Sequence, residues 1–229
     1  MIIEALPIIM LGFSLGLMHA LDADHVMAVS ALSNTKPSLK TTLLFCSNWA
    51  LGHGGILLLS GVMLFGLGLN LPVEFIHLAE VLVGLLLIAL GLLFFWRIKS
   101  QAIRLDEHHH GEVVHRHLHM ADHFNESNGG GSVKQAHTPV MVGMLHGFAG
   151  SAPALALIPA VSQGNLSQSL AYLAVFSFGV MSSMLVFGLG LGFLQQQLQQ
   201  RYVRLFNWQR YIIASLSVAV GSYWLVNAI

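Results

Sequence analysis

Six apolar stretches divide this chain: roughly Ala5–Leu32, Leu39–Leu67, Val73–Ile98, Pro139–Val161, Leu170–Leu194 and Trp208–Val226. About 20 consecutive apolar residues cross the hydrocarbon core as a helix, so the pattern predicts six transmembrane helices. The first two stretches exceed that length, which predicts tilt, an unwound segment or an interfacial end in each. Gly and Pro punctuate the connections at Lys36-Pro37, Asn70-Leu71-Pro72 and Gln163-Gly164-Asn165. No Lys or Arg precedes the first apolar run, and Glu4 does, so that run reads as a membrane helix rather than a cleaved signal peptide.

Composition supports the pattern. Of the 229 residues 55% are hydrophobic and 9% charged, whereas soluble domains carry about 25% charged residues. The positive charges then set the orientation. Lys36 and Lys40 follow the first span; Arg97, Lys99, Arg104, Arg116 and Lys134 follow the third; Arg201, Arg204 and Arg210 follow the fifth. With six spans every one of them falls on the same side, and the positive-inside rule makes that side cytoplasmic. Both termini are expected outside the cytoplasm, in a multi-pass protein of the plasma (inner) membrane. The formal net charge is zero and no basic patch occurs, so no nucleic-acid partner is expected. The single cysteine, Cys46, excludes an intrachain disulfide and with it a thiol–electron carrier.

The segment 101–137 differs in kind. It holds His108, His109, His110, His115, His117, His119, His123 and His137 among several acidic residues, and it contains the linker-like run Asn125–Ser132. Such a tract buries too little apolar surface to fold alone, and His-rich tracts read as metal binding. The chain thus divides into a first membrane unit (1–100), a His-rich cytoplasmic loop (101–137) and a second membrane unit (138–229). Gly16-Leu17-Met18-His19-Ala20-Leu21 resembles Gly143-Met144-Leu145-His146-Gly147-Phe148, with Gly and His in the same register. Gly61, Gly66 and Gly68 likewise face Gly188, Gly190 and Gly192 in the second and fifth spans. The expected fold is an all-α polytopic membrane protein of two inverted three-helix repeats, with its site near the midplane.

The candidate chemistry lies in the first span. His19-Ala20-Leu21-Asp22-Ala23-Asp24-His25 packs two imidazoles and two carboxylates into an apolar stretch. Ionisable groups there cost roughly 2.5–3.5 kcal/mol each on insertion scales, and they mark function. Imidazole with carboxylate suits a borderline divalent cation such as nickel, cobalt or zinc. At 3.6 residues per turn, His19, Asp22 and His25 share a stripe while Asp24 points away, so local unwinding is expected to gather all four. His53 and His146 sit near the middle of their own spans, each flanked by glycines that permit close helix approach. The candidate metal set is therefore His19, Asp22, Asp24, His25, His53 and His146, with Asn48 as an orienting neighbour. His77 and Glu80, at the outer end of the third span, are candidates for an access or proton path. Phe94, Phe95, Trp96, Tyr223 and Trp224 suit interfacial aromatic belts.

The run His19–His25 resembles the His-x4-Asp-His motif of the nickel/cobalt transporter family in its fuller His-Ala-x-Asp-Ala-Asp-His form. Leu51-Gly52-His53-Gly54 resembles that family's second motif, and a mid-chain His-rich loop recurs there. The resemblance implies a permease whose transported substrate is Ni²⁺ or Co²⁺, with no resident cofactor and with the first-span His and Asp residues needed for recognition. The chain is similar to the family's compact members, including the urease-accessory type and the cytoplasmic-loop exporters, and a cytoplasmic metallochaperone or metalloenzyme-assembly partner is expected. Ligand type leaves nickel and cobalt undivided, because selectivity among such cations comes from geometry. The direction of transport stays open.

Two other readings compete. An intramembrane metalloenzyme could use His19, Asp24 and His25 to activate water, yet the chain has no His-Glu-x-x-His and no further general base. An amino-acid or anion exporter could share the fold, but no apolar span places Lys or Arg at its centre to meet an anion.

Overall fold

The computed structural model describes residues 2–33, 39–69, 72–100, 103–110, 113–120, 131–149, 156–157, 160 and 165–228. The first apolar stretch forms two helices in series, α1 (Ile2–His19) and α2 (Ala23–Ser33). α3 (Leu39–Gly61) runs on into a π-helical turn, Val62–Gly66. Gly68, at φ +66°, ends that rod in a conformation open to glycine without steric penalty. α4 (Val73–Ser100) follows, then the strands β1 (Ile103–His110) and β2 (Val113–Met120). α5 (Gly131–Phe148), α6 (Leu166–Arg201) and α7 (Val203–Ala228) complete the described elements. Asn165 starts α6 by accepting the Ser167 amide at 2.8 Å and the Gln168 amide at 3.4 Å.

Among the described residues, four helices are long and apolar enough to cross a membrane: Leu39–Gly66, Glu74–Lys99, Leu166–Arg201 and Val203–Ala228. The first expected span is instead a pair of shorter apolar helices, Ile9–His19 and Ala23–Leu32. Of the fourth, α5 covers the part up to Phe148, and most of the remainder to Val161 lies outside the described residues. The protein is thus a helical membrane protein.

One departure from an all-α fold concerns the His-rich tract. Its backbone pairs in an antiparallel ladder, with Ile103 opposite Met120 and His110 opposite Val113. β-Branched and aliphatic residues (Ile103, Leu105, Val113, Val114 and Leu118) punctuate the histidines and supply the strand preference that overall polarity hides. The start of α5 also differs from the expectation, because it begins at Gly131, inside the run read as a linker.

α3 is central, packing against both α5 and α6; α1 lies on α6, α4 pairs with α7, and α2 rests on α4 and α7. Glycines set the closest approaches. Gly16 abuts the Phe176 carbonyl and Gly179 that of Phe13; Gly143 abuts the Trp49 carbonyl and Gly52 that of Val140. α4 and α7 meet through Gly84 and Gly221, each against the other's carbonyl. Between the helices, Trp49, Leu57, Tyr172, Leu173, Phe176 and Met184 form the core. Outward, Met18, Leu51, Leu92, Phe178, Val186 and Trp208 are exposed across five helices, an apolar surface suited to lipid. Arg210, by contrast, is buried, its guanidinium 5.5 Å from the Phe94 ring centre and 5.7 Å from that of Phe206.

Candidate metal centre

The helix breaks where its polar cluster lies. The Leu21 amide donates to the Met18 carbonyl and the Asp22 amide to that of His19, both at 3.0 Å, before Val26 resumes the regular ladder to Asp22. This single tightened turn redirects the four ionisable side chains. His19 Nδ1 donates to Asp22 Oδ2 at 2.9 Å. His25 Nδ1 donates to the His19 carbonyl at 3.1 Å, so one imidazole caps the end of α1. Asp24, which an undistorted helix would turn away, has Oδ2 3.6 Å from His25 Nε2. It also stands in the first turn of α2, where a carboxylate complements the helix dipole.

α3 brings His53 to this turn. Its Nε2 lies 3.3 Å from His19 Nε2, and His19, His25 and His53 each offer a ligand atom within 4.8 Å of the other two. All three rings are buried. Trp49, one turn before His53, stacks on it with ring centres 5.1 Å apart and meets His25 edge-on at 4.7 Å. Phe176 of α6 lies 5.6 Å from the His19 ring. The imidazoles are thus walled by aromatic rings, which exclude water and raise the strength of any cation–ligand interaction inside.

The hydrogen bonds decide which nitrogen each ring presents. A ring nitrogen bonded to a carbonyl or carboxylate must be the protonated one, so His19 and His25 carry their protons on Nδ1 and offer a lone pair on Nε2. His146 of α5 is wired the same way, Nδ1 donating to the Val142 carbonyl at 2.8 Å. Its Nε2 is buried with no hydrogen-bond partner among the described residues, and its ring centre is 5.5 Å from that of His25. His19 with Asp22 repeats the carboxylate–imidazole relay that orients metal-binding histidines. Between His19 and His53 a proton on one Nε2 must bridge the pair, because two lone pairs at 3.3 Å would repel. With that proton on His53, its buried Nδ1 is left without a partner among the described residues. A metal ion taking the bridge would replace this proton with a bond to each nitrogen.

The other sequence candidates are placed elsewhere. Asn48 is half-buried beside Trp49, with no described bond to the cluster. His77 and Glu80 pair at 3.6 Å near the start of α4, the imidazole 60% exposed, apart from the buried histidines. His108, His109, His110, His115, His117 and His119 belong to the backbone ladder; His137 lies in α5, and His123 lies outside the described residues. Trp49 and Phe176 were missed as site residues. The spacing of Trp49, four before His53, was the available signal for the first; nothing local signals Phe176.

Fold and site together define a polytopic helical membrane protein with a buried imidazole–carboxylate cluster. The chain belongs to the family described as the cytochrome C biogenesis protein transmembrane region, which matches residues 11–221. It is 29% identical to the urease accessory protein UreH of Bacillus sp. (strain TB-90) over 225 residues, 98% of this chain and 93% of that protein. It is also 29% identical over 225 residues to a Methanocaldococcus jannaschii protein named as a nickel/cobalt efflux system, covering 95% and 92% of the two chains. Both relatives are similar to this chain over nearly its whole length. No solved structure matches it.

Proposed function

We propose that this protein carries Ni²⁺ or Co²⁺ across the cytoplasmic membrane, binding the ion between His19, His25 and His53. The observation that carries this reading is the convergence of these buried imidazoles within 4.8 Å, two of them with Nε2 lone pairs fixed by their Nδ1 bonds. Asp22 holds His19 in its tautomer, and Asp24, buried beside His25, offsets the ion's charge. His146, with its unpartnered Nε2, completes the set from α5. Proton and cation compete for the same nitrogens, so loading releases the bridging proton and links transport to protonation.

Alternating access would come from two inverted halves rocking about this site. Matched contacts support that division. Gly16 with Phe176 corresponds to Gly143 with Trp49, and Gly179 with Phe13 to Gly52 with Val140, all related by one sequence offset. The same offset relates His19 to His146. Six spans with the termini outside would put Arg97, Lys99, Arg201 and Arg204 at the cytoplasmic face. The His-rich ladder would then capture cations on that side and pass them to or from a metallochaperone. The names of the curated relatives, an accessory protein and an efflux system, favour transport over catalysis. One cysteine leaves no dithiol for electron transfer.

Radiolabelled Ni²⁺ movement in cells, with Co²⁺ as competitor and His19→Ala alongside, tests the reading. Uptake lost in the variant identifies an importer, and lowered accumulation restored by the variant identifies an exporter. Metal movement identical with and without the protein contradicts the proposal. Deleting His108–His123 is expected to weaken apparent affinity more than maximal rate, read from the concentration dependence of the same flux.

A further inference from the structure

A cavity of about 420 Å³ opens beside the buried cluster, lined by Asp22, Ala23 and Asp24 on one side and by Ala219, Val220, Tyr223 and Trp224 of α7 on the other. Resting on the transport reading above, we infer that this cavity is a vestibule for the hydrated cation and that Asp22 is the station where it exchanges water for protein ligands.

The argument is one of size and continuity. A divalent ion with six waters needs roughly 200 Å³ at about 30 Å³ per water, which the cavity accommodates. The imidazole cluster does not, because its ligand atoms lie within 4.8 Å of one another and suit only a bare ion. Dehydration must therefore occur between the two spaces. Asp22 and Asp24 both line the cavity and reach the imidazoles, and of the two Asp22 is the one open to solvent. Its side chain is 39% exposed, it lines the cavity, and its Oδ2 bonds His19 Nδ1 at 2.9 Å. A carboxylate accepts both a metal's waters and the metal itself, and borderline cations favour the imidazoles behind it once shed of water. Asp24, also on the cavity wall but buried, adds negative charge along the path.

α7 supplies the opposite wall. Ala219 keeps the cavity wide, and Trp224 packs onto the main core while Tyr223 is exposed. These aromatics were expected only as interface belts. The four α7 residues lie in the part of the helix farthest from Arg204 and Arg210, so under the proposed orientation the vestibule faces outward.

The experiment uses the full chain carrying Ala219→Cys, with Cys46→Ser removing the buried native thiol. A charged, membrane-impermeant methanethiosulfonate is applied from outside, with and without Ni²⁺. The introduced thiol is expected to react. Ni²⁺ at ten times the vestibule's own dissociation constant should slow the reaction about tenfold, since only the unoccupied fraction reacts. Asp22→Asn should remove this protection, whereas His53→Ala should keep it while losing transport. No labelling from outside, or labelling indifferent to Ni²⁺ while His53→Ala still stops transport, overturns the vestibule and leaves the transport reading standing. Protection that survives Asp22→Asn overturns the role given to Asp22.

Discussion

His53→Ala is expected to weaken Ni²⁺ binding by about two orders of magnitude or more, since even orienting partners of metal ligands cost about 10–100-fold when removed. That is roughly 3 kcal/mol or more at about 1.4 kcal/mol per tenfold. His53 is the only ligand candidate on α3, and it meets His19 nitrogen to nitrogen at 3.3 Å. Removing it takes away the ligand that faces His19 most closely, leaving His19 and His25 of one chain segment with His146 of α5. His77→Ala is the matched control, because that ring is 60% exposed and paired with Glu80 away from the cluster. Equilibrium dialysis of purified protein against Ni²⁺ reads both. Equal losses in the two variants would remove the cluster's claim to the ion.

Gly143→Ala is expected to destabilise the fold by about 1–3 kcal/mol, the usual cost of forcing extra carbon into a packed interior. A Cβ there would collide with the Trp49 carbonyl, and the nearest further atom, 3.1 Å away, is the His53 amide nitrogen. Both belong to helix backbone and cannot step aside as a side chain would. The strain falls on the contact that seats His53, so metal binding should weaken together with stability. Gly190→Ala is the contrasting variant. Nothing lies within 4 Å of its added carbon, and alanine gains up to about 1 kcal/mol in a helix interior. Thermal unfolding in detergent should thus move in opposite directions for the two glycines.

Parts of this architecture were legible in the sequence for clear physical reasons. A His/Asp run within apolar surroundings is costly, so its presence alone singled out the candidate site. Asp24, out of register with His19, Asp22 and His25, argued for a break in the helix, and the break occurs at Ala20–Asp22 as a tightened turn rather than an unwound one. Glycines beside His53 and His146 announced close packing, which Gly52, Gly143 and Gly147 provide. What escaped depends on partners far along the chain. Phe176 walls His19 from α6, and Ala219 and Tyr223 face Asp22 from α7. No periodicity in either segment encodes that meeting. The strands of the His-rich tract escaped for another reason, because average polarity concealed the aliphatic residues spaced among the histidines. The start of α5 escaped as well, because Gly131 and Ser132 suit a linker but here begin a helix.

X-ray absorption at the nickel edge, on protein lacking His108–His123 and loaded with one equivalent of Ni²⁺, tests the central claim most directly. The account predicts imidazole scattering from at least three rings at about 2.0–2.1 Å, the distance usual for metal–imidazole bonds, and its loss in His53→Ala. A shell of oxygen alone, or imidazole scattering unchanged in that variant, would contradict a site built from His19, His25 and His53.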